Sequence, residues 1–224
     1  MSRWGNAVTK ARAACLIGWP AAHSRSPLIH HYWLRTLGIE GGYVIEAVPP
    51  DEFADFVLRL SLRGFAGANV TLPHKEQALA LSKPDERARA VGAANTLWYE
   101  QGELRSTNTD VEGFTANLDA AVPAWEQRAS DAVVLGAGGS ARAVVYGLIE
   151  RGIGKIHVVN RTPERVAALQ ARFGPAVQPA HEAALPHLLS RAGLLVNTTS
   201  LGMAGQPPLA IDLEPLPRHA VVAD

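Results

Sequence analysis

Four short polar blocks stand beside apolar stretches in this chain: Ser24-Arg25-Ser26, Asn69-Val70-Thr71-Leu72-Pro73-His74-Lys75, Asn95-Thr96 and Asn108-Thr109-Asp110. Between them they hold hydroxyls, a lysine, a carboxylate and several amides, a mixture that suits a small polyhydroxylated acid. A positioned lysine ammonium can give a proton to an alkoxide and take it back in the reverse direction. A carboxylate beside it would keep the ammonium charged, whereas burial would push its pKa down. If the strands that carry these blocks are parallel, their C-terminal ends line one edge and the polar groups gather in one cleft.

A second constellation begins at Val133-Val134-Leu135-Gly136-Ala137-Gly138-Gly139-Ser140-Ala141, where an apolar run enters a glycine-rich turn and then a helix-length stretch. This is the context a dinucleotide fingerprint requires. Gly136 allows the tight turn, Gly138 lets backbone approach a pyrophosphate, and Ala141 takes the third small position, where helix and strand pack closely. Backbone N–H groups at the helix start would face the phosphates, aided by the helix dipole. The alternative, a strand-to-helix turn of purely structural use, is weakened by a second strand-like run at Lys155–Val159.

The end of that run bears on the cofactor. An NAD site usually carries Asp or Glu there for the ribose 2′-hydroxyl. This chain has Asn160-Arg161-Thr162-Pro163-Glu164-Arg165. A neutral amide does not repel a 2′-phosphate, and Arg161 with Arg165 can meet one through charge-assisted hydrogen bonds. Two arginines at a helix start are unfavourable against the dipole, so an anionic partner explains them better than solvent does. The expected cofactor is NADP.

The elements that must position these residues alternate between strand-length apolar runs and helix-length amphipathic stretches, the pattern of an α/β fold with a parallel or mixed sheet. In the first half, strands are expected at Cys15–Gly18, Tyr43–Val48, Gly67–Thr71 and Ala94–Tyr99. Glu103–Ser106 should complete a hairpin around Gln101-Gly102. Helices are expected at Pro27–Leu37, where Ser26 could act as cap, at Pro50–Leu62, and across Lys75–Ala90. The second half reads as a helix at Gly113–Ala121, strands at Ala132–Leu135, Lys155–Val159, Leu194–Asn197 and Ala220–Ala223, and helices at Arg142–Arg151 and Pro163–Arg172. The expected domains are 13–110, binding substrate, and 111–224, a Rossmann-type nucleotide domain.

Composition narrows the function classes. A length of 224 residues and 23.9 kDa accommodates one large domain or two small ones. Lys plus Arg and Asp plus Glu both number 21, so no basic excess exists to neutralise nucleic-acid phosphates. With 47% hydrophobic and 19% charged residues, and no apolar run near ~18 residues, a soluble globular protein without membrane partners is expected. The basic residues before Ala13–Ala22 resemble a secretory signal, but Gly18 and Pro20 interrupt that stretch, which better suits a strand and turn. Cys15 is alone and cannot form an internal disulfide, which fits a reducing, cytoplasmic setting. His30-His31 lacks a His-x3-His or Cys partner and points to packing rather than metal binding. No metal is expected.

In order, Gly18-Trp19-Pro20 to Ser24-Arg25-Ser26-Pro27, Gly67 to Lys75, Gly92-Ala93-Ala94-Asn95-Thr96, Asn108-Thr109-Asp110, the Gly136 turn and Asn160-Arg161-Thr162 resemble the shikimate dehydrogenase family. The resemblance covers residues 14–224. It implies a two-domain enzyme that reversibly reduces 3-dehydroshikimate to shikimate with NADPH, on the path to chorismate and the aromatic amino acids. It also implies roles: Lys75 as the catalytic lysine with Asp110 as its partner, Ser24 and Ser26 on the substrate carboxylate, and Thr71 and Asn95, with Asp110, on the ring hydroxyls. Asn197 and Thr198 resemble cofactor-loop contacts, and Glu86 a position near the cofactor, although a surface glutamate accounts for Glu86 almost as well. A quinate-active relative and a non-catalytic NADP-binding paralogue stay open. Two serines at 24 and 26 and the arginine pair favour shikimate, and an intact Lys75 and Asp110 favour catalysis. A homodimer also stays open. The last residues, His219 to Asp224, read as a buried strand with nothing to cover it, so a chain lacking the family's C-terminal segment is expected.

Overall fold

The computed structural model describes residues 12–203 and 205–224. These fall into two units, one containing the described residues through Glu86 together with Ala94–Thr107, the other Arg87–Ala93 with Asn108–Asp224.

The first unit contains β1 (Arg12–Gly18), α1 (Ser26–Leu37), β2 (Gly41–Ala47), α2 (Phe53–Leu58), β3 (Phe65–Val70), α3 (Lys75–Ala80) and the two-residue β4 (Lys83–Pro84). After α4 (Glu86–Val91) the chain returns with β5 (Thr96–Glu100) and β6 (Glu103–Thr107). The sheet order is β2-β1-β3-β5-β6-β4. β1 runs parallel to β2 and β3, but β5 is antiparallel to both β3 and β6, so the sheet is mixed. The hairpin between β5 and β6 forms as expected: Gln101 and Gly102 both have positive φ, 52° and 85°, the conformation a tight two-residue turn demands. Ile17, Phe53, Val57, Leu60, Val70 and Leu97 are nearly or fully inaccessible and form the unit's core. Leu28, Tyr32, Trp33 and Leu37 leave an apolar stripe exposed on α1.

The helix expected at Pro50–Leu62 is confined to Phe53–Leu58. The helical region expected across 75–90 is two short helices, because Pro84 has no N–H to continue a helix and pairs at the sheet edge with Ser106 instead.

The second unit contains α5 (Asp110–Ala121), β7 (Asp131–Leu135), α6 (Gly139–Glu150), β8 (Lys155–Val159), α7 (Pro163–Phe173), β9 (Val177–Ala180), α8 (Leu185–Leu189), β10 (Leu194–Asn197) and β11 (Val221–Ala223). The five strands are all parallel, in the order β11-β10-β7-β8-β9. This is a doubly wound sheet, with the strand order reversing between β7 and β10. Both faces of β7 are covered: Ala132 and Val134 pack with Val145, Leu148 and Ile156, while Val133 and Leu135 pack with Leu189 and Leu195. That explains why β7 is a continuous apolar run rather than an alternating one. β9 and α8 lie outside the sequence expectation, since Val177-Gln178-Pro179-Ala180 carries a proline and only one bulky apolar residue. At the edge strand β11, Val221 is buried but Val222 is 55% exposed, so the strand is covered on one face and not the other.

Candidate active site

In the first unit the register brings one group of polar residues to a single sheet edge. Leu16 of β1 pairs with Asn69 of β3, and Asn69 pairs with Thr96 of β5. Because β5 is antiparallel, its N-terminal start lies beside the C-terminal ends of β1 and β3. Asn95 therefore precedes its strand and reaches this edge by the reverse of the parallel route expected for it.

The loops leaving β1 and β3 are laced together. The Thr71 N–H donates to the Ile17 carbonyl at 2.9 Å and the Trp19 N–H to the Leu72 carbonyl at 2.8 Å. Gly18 is required at this crossing, because a Cβ there would collide with Thr71 Cγ2. The Trp19–Pro20 and Leu72–Pro73 peptides are cis. The His74 N–H then turns back to the Thr71 carbonyl at 3.0 Å, and α3 starts at Lys75.

Lys75 is buried, with 7% of its surface exposed. Its carbonyl accepts the Ala94 N–H at 2.8 Å, and the Val70 N–H donates to the Asn95 carbonyl at 2.8 Å, so the lysine and asparagine segments are held side by side. His74, also buried, stacks on Phe53 with ring centroids 4.2 Å apart and places Nε2 2.8 Å from the Val48 carbonyl. Burial lowers the pKa of His74, against the opposing pull of the Val48 carbonyl.

Ser24 and Ser26 form a tight pair. The Ser24 hydroxyl donates to Ser26 Oγ at 3.1 Å and accepts the Ser26 N–H at 3.2 Å. Ser26 is not the helix cap the sequence allows: α1 starts at Ser26 itself, and Arg25 at the cap position makes no side-chain capping bond. The structure thus brings Ser24, Ser26, Thr71, Lys75 and Asn95 to neighbouring loops of one unit. Asn69 and Thr96 belong to the same edge, tied to each other by a 3.2 Å bond from Asn69 Nδ2 to Thr96 Oγ1, although their residue types alone gave them no role.

His30 and His31 both face β2: His30 stacks on Tyr43 with centroids 3.8 Å apart, and His31 Nε2 accepts the Tyr43 N–H at 3.3 Å. Among the described residues no three His, Cys, Asp or Glu side chains are grouped to hold a metal ion. Glu86 is exposed in the first turn of α4.

Asp110 lies in the second unit as the first residue of α5, half-buried, with its N–H donating to Asn108 Oδ1 at 3.0 Å. Asn108 is fully buried and anchors this turn by donating Nδ2 to the Ala93 carbonyl at 3.0 Å.

The glycine-rich turn also lies in the second unit, where β7 passes into α6 at the point of strand-order reversal. Open α/β sheets bind their ligands at that point. Gly136 has φ +104°, and a Cβ on it would lie 2.5 Å from Thr198 Oγ1. Thr198, at the end of β10, donates its hydroxyl to the Leu135 carbonyl at 2.7 Å and so closes the back of the turn. Asn197 works inside its own loop: Nδ2 donates to Asp224 at 2.7 Å and to the Leu201 carbonyl at 3.3 Å, and Oδ1 accepts from Thr199 N–H and hydroxyl.

Gly138 behaves differently from Gly136. It is the N-cap residue of α6, no side chain caps the helix there, and a Cβ built on it meets nothing within 4 Å. Ala137, Gly139 and Ala141 are buried, while Gly138 and Ser140 are partly open. Beyond β8, Asn160 Nδ2 donates to the Thr162 carbonyl at 3.1 Å and shapes the turn into α7. Arg161, Thr162 and Arg165 are exposed, and neither arginine forms an ion pair among the described residues. An uncapped helix start with open space before it, and two unneutralised cations past the next strand, fit a pyrophosphate and a 2′-phosphate respectively.

Both units match known protein families. A family model described as the shikimate dehydrogenase substrate binding domain matches residues 16–97, and one described as shikimate / quinate 5-dehydrogenase matches residues 120–203. The chain is 70% identical over 218 residues to the shikimate dehydrogenase (NADP(+)) of Nitrobacter winogradskyi, covering 97% of this chain and 78% of that protein. The shikimate dehydrogenase structure from Aquifex aeolicus superposes with a TM-score of 0.84 at 30% identity, covering 95% of this chain and 77% of that one. The Thermus thermophilus shikimate 5-dehydrogenase solved with NADP(H) and shikimate gives 0.79 at 35% identity, covering 94% of this chain and 77% of that one. With both units matched in order and at this identity, the chain belongs to the shikimate dehydrogenase family.

Proposed function

We propose that the chain is an NADP-dependent oxidoreductase that interconverts 3-dehydroshikimate and shikimate, within the biosynthesis of chorismate and aromatic amino acids. What carries this reading is the buried Lys75 among Ser24, Ser26, Thr71 and Asn95, in a chain 70% identical to a protein named for that activity.

NADPH, when bound, supplies the hydride. The second unit holds it: backbone N–H groups at Gly138, Gly139 and Ser140 bind the pyrophosphate over the turn formed by Gly136 and Ala137. Arg161 and Arg165, with Asn160 and Thr162, take the 2′-phosphate. Asn197 and Thr198 shape the loop behind the turn, and Glu86 keeps the role the family resemblance implies. In the first unit the serine hydroxyls orient the substrate carboxylate, and Thr71 and Asn95 hydrogen-bond the ring hydroxyls. Lys75 gives its proton to the developing alkoxide oxygen and recovers one in the oxidative direction, with Asp110 in the partner role that the family resemblance implies. The domain assignment follows the same division, 13–110 for substrate and 111–224 for cofactor.

No helix among the described residues is long and apolar enough to cross a membrane. The lone buried Cys15 suits a reducing, cytoplasmic setting. A homodimer is compatible with this reading and not required by it.

The test is turnover of shikimate and of quinate with NADP and with NAD, in wild type and Lys75→Ala. Shikimate with NADP should be the preferred pair, and Lys75→Ala should lower kcat by about 10² to 10⁴ with NADPH affinity nearly unchanged. Faster quinate oxidation with NAD would replace this reading by the quinate one, and wild-type turnover in the lysine variant would remove Lys75 from the chemistry.

A further inference from the structure

A chain of hydrogen bonds crosses the first unit through a residue that neither the motifs nor the family names point to. Tyr43 lies in the middle of β2, buried to 3% exposure, with its ring stacked on His30. Its hydroxyl donates to Asn69 Oδ1 at 2.7 Å. Asn69 Nδ2 donates to Thr96 Oγ1 at 3.2 Å, and the Thr96 hydroxyl donates to Asn95 Oδ1 at 3.0 Å. On its other side Tyr43 lies near the Ser26 side chain, and Ser26 accepts from Ser24.

Each link has one donor and one acceptor, so the links share a polarity. A hydroxyl has a single hydrogen, and an amide presents oxygen on one side and NH₂ on the other. Tyr43 donating to Asn69 turns that amide's NH₂ toward Thr96. Thr96, already accepting, then directs its one hydrogen to Asn95, which settles which way the Asn95 amide faces. Loss of the Tyr43 hydroxyl lets Asn69 turn over, lets Thr96 donate to Asn69 instead, and takes the Oδ1 partner from Asn95. Buried networks of this kind respond as a unit.

We infer that Tyr43 is a positioning residue for substrate: its hydroxyl heads the Asn69–Thr96–Asn95 chain and holds the Asn95 amide in the orientation that recognises a hydroxylated carboxylic acid. Tyr43 need not touch substrate. The inference rests on the proposed function, since it assigns Tyr43 to the same substrate residues.

Tyr43→Phe keeps the ring on His30 and removes only the hydroxyl, and Thr96→Val breaks the same chain two links away. In steady-state oxidation of shikimate with NADP, each variant should raise KM for shikimate about five- to tenfold, the factor of one hydrogen bond, with kcat changed less and KM for NADP within about twofold. The double variant should raise KM for shikimate by no more than about tenfold, because the second change breaks a chain already broken. An unchanged KM for shikimate in Tyr43→Phe, equal increases for substrate and cofactor, or multiplying effects in the double variant would each overturn the inference. If Tyr43→Phe does not fold, Thr96→Val alone decides it by the same KM ratio. Wild-type protein that fails to turn over shikimate overturns the proposed function and this inference with it; wild-type turnover with indifferent variants overturns this inference alone.

Discussion

Replacing Gly138 by alanine adds one methyl group at the cap of α6, and the structure allows its effects on folding and on cofactor binding to be separated. The backbone at Gly138 is extended, φ −93° and ψ −166°, which alanine adopts without strain, and its Cβ would meet nothing within 4 Å. Alanine is a poorer cap than glycine by up to about 1 kcal/mol. It also restricts the unfolded chain, which stabilises by about 0.4–1 kcal/mol. The two effects nearly cancel, and Tm should stay within about 3 °C of wild type. Cofactor binding should respond differently, because the methyl occupies the space through which a pyrophosphate reaches the helix-start N–H groups. Losing one charge-assisted hydrogen bond, about 1.5–3 kcal/mol, weakens NADPH binding about 10- to 100-fold.

Gly136→Ala is the contrasting variant. There φ is +104° and the new Cβ would lie 2.5 Å from Thr198 Oγ1, so backbone strain of about 1–3 kcal/mol adds to displacement of a threonine that holds the Leu135 carbonyl. A loss of about 2–4 kcal/mol corresponds to a Tm lower by about 4–16 °C for a chain of this size. Thermal unfolding and NADPH fluorescence titration on the two variants decide the matter. Wild-type NADPH affinity in Gly138→Ala would refute the placement of the pyrophosphate at this turn, and a wild-type Tm in Gly136→Ala would refute the steric reasoning.

Two further outcomes are expected. Arg161→Ala with Arg165→Ala should weaken NADP binding about 10- to 100-fold and leave NAD binding within about twofold, as isothermal titration would read; equal losses for both cofactors would show that the pair does not meet the 2′-phosphate. His74 should make the fold sensitive to acid. Its folded pKa lies below the ordinary value of 6.5, so below that pH the unfolded chain binds a proton that the folded chain resists, and stability falls as pH drops. His157, likewise lowered by burial, adds a change of the same sign. Tm measured from pH 8 to pH 5.5 should decline at the acid end, and His74→Gln should reduce that decline; an identical slope in the variant would clear His74.

The strand and helix pattern of the nucleotide unit was legible in the sequence because each element there is buried by its own local run. Lys155–Val159 and Leu194–Asn197 have the limits expected of them, and the glycine turn lies between β7 and α6 where its spacing implied. A strand covered on both faces needs continuous apolar residues, and such a run is visible without a partner. β9 and β11 escaped full description because a proline-bearing edge strand and a half-covered one owe their place to their neighbours.

Residue types after a strand-like run picked out the arginine pair, whereas Lys75, Asn95 and the serine pair took their roles from the ordered blocks that resemble the family. What they could not supply was direction. The side of the sheet edge reached by Asn95 depends on β5 running antiparallel, and pairing sense is a property of two strands rather than of one. Ser26 reads as a helix cap until the fold makes it a partner of Ser24. Tyr43 itself reads as one more aromatic in a strand. Only the tertiary structure, by setting β2, β3 and β5 across one sheet, turns an ordinary core tyrosine into the joint of a polar chain, because a hydrogen bond between residues 26 or 27 positions apart has no local signature.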